Sequence, residues 1–104
     1  MMLEPTLCPR VEKAFEIIGK RWTGLIIYQL MNGPMRFCEI ESSIPISGRL
    51  LSERLKDLEK LGIVSRQVFP EVPVRVEYSL TEKGLALNPV MKELQTWALK
   101  YIDV

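Results

Sequence analysis

A chain of 104 residues, 47% hydrophobic and 26% charged, has the size and make-up of one globular domain built on a single core. Fourteen Lys and Arg against thirteen Asp and Glu leave a net charge of +1, so no overall basic field points to nucleic acid, and no apolar run approaches the roughly 18 residues that span a bilayer. The absence of histidine excludes imidazole acid–base chemistry, Ser-His-Asp or Cys-His nucleophiles and the usual catalytic zinc sites. Two cysteines, Cys8 and Cys38, can neither complete a four-ligand metal site within one chain nor staple a secreted scaffold. No metal or cofactor is expected. The N-terminus lacks a basic-then-apolar signal pattern, and a cytoplasmic protein is expected. Surface recognition and thiol chemistry are the functions left open.

From Val11, the apolar residues Val11, Ala14, Phe15 and Ile18 recur at helical spacing, with Glu12, Lys13, Glu16 and Lys20 on the other side. Pro9 suits the start of this helix, and Gly19 breaks or bends it. Arg21 to Met31 is apolar nearly all round and predicts a central buried helix, ended by Asn32-Gly33-Pro34. A short third helix carries Phe37, Ile40 and Ile44 as its buried stripe and stops at Pro45. Arg49 to Leu61 predicts the clearest helix. Leu51, Leu55 and Leu58 line one face; Arg49, Ser52, Glu53, Lys56 and Lys60 lie opposite, between Ser47 and the C-terminal stop Gly62. The period then changes to two. Residues 63–69 and 74–80 predict strands joined by Pro70-Glu71-Val72-Pro73 as a hairpin. Thr81 caps a last helical region that Asn88-Pro89 kinks or restarts, and Val90, Leu94, Trp97 and Tyr101 then form one narrow apolar stripe.

This order is mainly α with a β-hairpin: a winged helix-turn-helix domain extended by N- and C-terminal helices that form a dimer. One domain is expected over residues 1–104, with the helix-turn-helix at about 35–61, the wing at about 63–80 and the dimerisation helix at about 81–103. The second helix of such a motif enters the DNA major groove by its N-terminal end. Ser47, Gly48, Arg49 and Ser52 occupy that end: Arg49 is suited to a bidentate guanine contact, and Ser52 to donate or accept. Lys56 is suited to phosphate, and Arg66 and Arg75 of the hairpin to backbone or minor groove. Taken alone, a Leu-striped helix with opposed charges is an ordinary solvated surface helix; the element order and the basic residues at both groove-reaching sites favour DNA. A protein-binding winged helix stays open. So does intramolecular packing of the Val90, Leu94, Trp97, Tyr101 stripe on the first helix, although pairing with a symmetry mate is favoured.

Cys8 precedes the first helix, with Pro9, Arg10 and Lys13 nearby; a helix N-terminus and neighbouring cations favour a thiolate. Cys38 lies beside Glu39, with Glu41 one turn on, which works against a thiolate; it reads as an inert, partly buried side chain.

The blocks Cys8-Pro9, Gly19-Lys20-Arg21-Trp22-Thr23-Gly24, Gly33-Pro34-Met35-Arg36-Phe37 and Leu51-Ser52-Glu53-Arg54-Leu55-Lys56-Asp57-Leu58-Glu59 occur in order. Pro73-Val74, Val76-Glu77-Tyr78-Ser79-Leu80-Thr81-Glu82-Lys83-Gly84 and Trp97 follow. This chain resembles, over essentially its whole length, the HxlR family of bacterial winged helix regulators, relatives of the MarR type. The N-terminal Cys-Pro and the Pro-x-x-Pro-Val wing resemble its YodB-type branch. That resemblance implies a non-enzymatic homodimeric repressor on an inverted-repeat operator in double-stranded DNA, sensing quinones, aldehydes or oxidants through Cys8. Some relatives resolve the modified thiol with a cysteine near the partner's C-terminus, which this chain lacks. Direct alkylation, a low-molecular-weight mixed disulfide and a bridge from Cys8 to Cys38 of a second copy all stay open, and Cys38 stands where the family usually has another residue. Two further alternatives are a non-covalent aromatic ligand, with Phe15, Trp22 and Tyr101 lining its pocket, and a thiol peroxidase or reductase using Cys8, against which stand the missing Cys-x-x-Cys and histidine.

Overall fold

The computed structural model of the chain describes residues 7–104. Helix α1 (Pro9–Gly19) begins with proline in its first turn, where the missing N–H removes no helical hydrogen bond. Its apolar spacing is that of a buried stripe, yet none of its residues is buried, and Phe15 is 73% exposed. Helix α2 spans Thr23–Leu30, starting later than the apolar run suggests because Trp22 adopts a left-handed φ of 75°. Such a conformation costs a bulky L-residue about 1–3 kcal/mol. Ile26, Ile27 and Leu30 then turn into the core.

Strand β1 (Met35–Arg36) leads directly into α3 (Phe37–Ser43), and α4 (Gly48–Lys60) follows the Pro45 turn. Three of the four leucines of α4, Leu51, Leu55 and Leu58, are fully buried in the core with Ile26, Ile27, Leu30 and Ile40. Strands β2 (Val64–Phe69) and β3 (Arg75–Leu80) pair antiparallel from Val64↔Leu80 to Phe69↔Arg75. The expected hairpin is therefore present, but it is part of a larger sheet. β1 adds to the other edge of β3 through Met35↔Tyr78 and Arg36↔Glu77, giving the order β1-β3-β2.

The C-terminal helical region is two helices, α5 (Glu82–Leu85) and α6 (Asn88–Tyr101), because Pro89 restarts the chain at a helix N-terminus. Thr81 caps α5 by accepting the N–H of Gly84 at 3.2 Å, and its own hydroxyl donates to the carbonyl of Gly62. Lys83 Nζ donates to the carbonyl of Leu61 at 2.6 Å. The end of α4 is thus tied to the segment that leads into α6. Gly84 sits so close to the Ile63 carbonyl that a Cβ would collide with backbone. Gly84→Ala is expected to lower stability by about 1–3 kcal/mol, read as a lower urea midpoint at unchanged m-value.

Beyond Met91, which is buried, α6 is mostly exposed but still reaches α2, where Gln95 Nε2 donates to Tyr28 Oη at 2.7 Å. The molecule measures 63 × 32 × 23 Å with a radius of gyration of 15.9 Å, against about 13 Å for a compact domain of this length.

Candidate functional site

The leading end of α4 is shaped by small residues. Ser47 Oγ accepts the N–H of Leu50 at 3.2 Å, capping the helix. Gly48 lets α3 come close: a Cβ there would stand 2.7 Å from Glu41 Oε2. Ile44 and Ile46 are buried on either side of exposed Pro45 and anchor the turn between the two helices. Arg49 then projects with its side chain 92% exposed, 3.6 Å from Glu53 Oε2. A long, solvated pair of this kind is weak, and the guanidinium remains available to a better acceptor. Ser47 and Lys56 are exposed and Ser52 half-buried; Ser47, Arg49 and Ser52 stand at the start of α4 and Lys56 one turn beyond Ser52. Arg54 is different: it is largely covered and bonds Asp57 at 3.2 Å, and Lys20 approaches the same carboxylate at 3.7 Å.

The two wing arginines do not behave alike. Arg66 is exposed on β2. Arg75 is half-buried, paired with Glu71 at 2.9 Å and Glu77 at 2.8 Å, and stacked over Phe69 at 4.0 Å from the ring centroid. Sequence reasoning missed the two glutamates. The signal was present in the i, i+2 spacing of Arg75 and Glu77, which puts both on one face of a strand. The wing tip also carries exposed Val68, Val72 and Val74.

On α6, Val90, Leu94, Trp97 and Tyr101 are all exposed, Trp97 to 53%, with the Trp97 and Tyr101 rings 5.6 Å apart. Leu7, Val11 and Phe15 at the other terminus are exposed as well. Among the described residues, none of the four in the α6 stripe is fully buried. Between α2 and α6 runs a groove of about 460 Å³, lined chiefly by Trp22, Leu25, Tyr28, Leu94, Ala98 and Leu99. Of the three aromatic residues expected to line a ligand pocket, only Trp22 reaches it; Phe15 and Tyr101 do not.

Cys8 is the N-cap of α1 and exposed, its carbonyl accepting the N–H of Glu12 at 2.9 Å. Cys38 is also exposed, which corrects the expectation of a partly buried side chain. Phe37 and Ile40 take the inward side of α3 and turn Cys38 to solvent. Among the described residues no helix is long and apolar enough to cross a membrane.

Residues 17–104 match the HxlR-like helix-turn-helix family. The chain is 56% identical over 98% of its length to the HTH-type transcriptional regulator YvaP of Bacillus subtilis, covering 95% of that protein. It is 57% identical over 94% of its length to the HTH-type transcriptional regulator YodB of the same organism, covering 88% of it. The reduced form of YodB superposes with a TM-score of 0.82 (94% of this chain, 97% of that one, 56% identity), and its quinone-bound form with 0.79 (91% and 100%, 53% identity). The redox regulator HypR in its oxidized form gives 0.86 (93% and 100%, 41% identity).

Proposed function

This chain belongs to the HxlR-like helix-turn-helix family of winged-helix transcriptional regulators, and we propose that it is a homodimeric repressor released from an inverted-repeat operator when Cys8 is oxidised or alkylated. The observation that carries the DNA-binding half is the outward surface of α4, where a Ser47-capped helix start presents Arg49 free of any strong partner. Residues 35–61 act as the helix-turn-helix, 63–80 as the wing and 81–103 as the dimerisation segment. Ser47, Gly48, Arg49 and Ser52 meet base edges, Lys56 meets phosphate, and Arg66 reaches the backbone from the wing. Two copies related by a two-fold axis read half-sites about 34 Å apart or a multiple of that. Arg49→Ala is expected to weaken binding to the operator by about 1–3 kcal/mol and to relax discrimination against random DNA. An unchanged ratio of operator to random affinity removes Arg49 from base readout.

The sensing half is supported by the exposure of Cys8 at a helix N-cap and by the solved quinone-bound and diamide-treated forms of the relative YodB. Modification must favour a non-binding arrangement by about 3 kcal/mol to change occupancy a hundredfold. Helices α1 and α6, whose apolar faces are partly exposed among the described residues, are the elements that rearrange.

A second reading is favoured by one observation, the apolar groove beside Trp22 and Tyr28: a non-covalent aromatic ligand held there would release DNA without touching Cys8. Release of the Cys8→Ser protein by a non-electrophilic aromatic compound would establish it.

A further inference from the structure

The wing carries two arginines and two glutamates between residues 64 and 80, and the strand register divides them. Cross-strand partners share a face. Ser65↔Ser79, Gln67↔Glu77 and Phe69↔Arg75 therefore lie on one face of the ribbon, and Arg66↔Tyr78 and Val68↔Val76 on the other. The first face is closed on itself. The two serine hydroxyls stand 3.1 Å apart, and the Arg75 guanidinium is held between two carboxylates and over the Phe69 ring. Its Nε is buried and turned to no acceptor. Glu71 lies in the tip, so Arg75 ties the tip back to the strand that carries Glu77.

We infer that Arg75 is a positioning residue of the wing and not a DNA contact: Glu71 and Glu77 withhold its charge from phosphate, and the wing meets the duplex through Arg66 alone. Resting on the DNA-binding reading, this assigns one wing charge per subunit where the sequence offers two. A phosphate contact has a measurable signature, since each one contributes about one to the slope of log K against log salt concentration.

The test is a salt titration of binding to a duplex covering the promoter of the protein's own gene, comparing the unaltered chain, Arg75→Met and the double variant Glu71→Gln, Glu77→Gln. Arg75→Met is expected to weaken binding by a similar factor at every salt concentration, leaving the slope unchanged. The double variant is expected to steepen the slope by about one per subunit, as the freed guanidinium finds phosphate. A merely structural arginine would give no such gain. A slope reduced by about one per subunit in Arg75→Met overturns the inference, and so does a double variant with the slope of the unaltered chain. Failure of the unaltered chain to bind any duplex at low salt is a separate result, which overturns the DNA-binding reading and the inference with it.

Discussion

Replacing Leu94 and Trp97 together by glutamate is expected to give a folded monomer whose operator affinity is lower by about a hundredfold or more. Both side chains are about half exposed, and neither belongs to the core built from α2, α3, α4 and the sheet, so the fold has no stake in them. Their place on α6, with Val90 and Tyr101, leaves a half-exposed apolar strip among the described residues, an arrangement suited to association. The radius of gyration of 15.9 Å, against about 13 Å for a compact domain of this length, agrees with terminal helices that extend from the core. Loss of the second subunit removes a second half-site held at high effective concentration, an advantage of about 10² or more. Sedimentation gives the mass, circular dichroism the fold, and fluorescence anisotropy the affinity. A dimer that persists at full affinity would assign the interface elsewhere.

The second large effect is expected at Cys8. Cys8→Ser should bind DNA as tightly as the unaltered reduced protein and lose the whole response to quinone or diamide, about a hundredfold in affinity. Serine is among the best N-cap residues, so α1 keeps its start, and the exposed thiol has no packing role to lose. Cys38→Ser separates the chemistries. If Cys8 is bridged to Cys38 of a second copy, oxidised Cys38→Ser protein runs as a monomer on non-reducing electrophoresis and the unaltered protein as a dimer. Alkylation or a small mixed disulfide at Cys8 leaves both monomeric.

The elements governed by local chemistry were legible in advance. Ser47 as a cap, Leu51, Leu55 and Leu58 at helical spacing and Gly62 as a stop mark α4 to within one residue at each end, and the change to period two marks both long strands. What escaped depends on distant partners. β1 is only two residues long and exists because β3 offers it an edge. Trp22 starts α2 late through a left-handed conformation that an aromatic residue does not announce. Periodicity showed that α1 has an apolar face but not that only its Ile17 end packs on the core while Val11 and Phe15 stay exposed. At the candidate interface, residue type alone made Arg66 and Arg75 equivalent. Strand register and the positions of Glu71 and Glu77 make them different.

The most direct measurement is the affinity of the purified, reduced protein for its own promoter duplex, repeated after treatment with a quinone and after removal of unreacted reagent. The expected result is tight binding when reduced and a loss of about a hundredfold after treatment, absent in Cys8→Ser. Equal release of the unaltered and Cys8→Ser proteins, or no release of either, would contradict a repressor switched through Cys8.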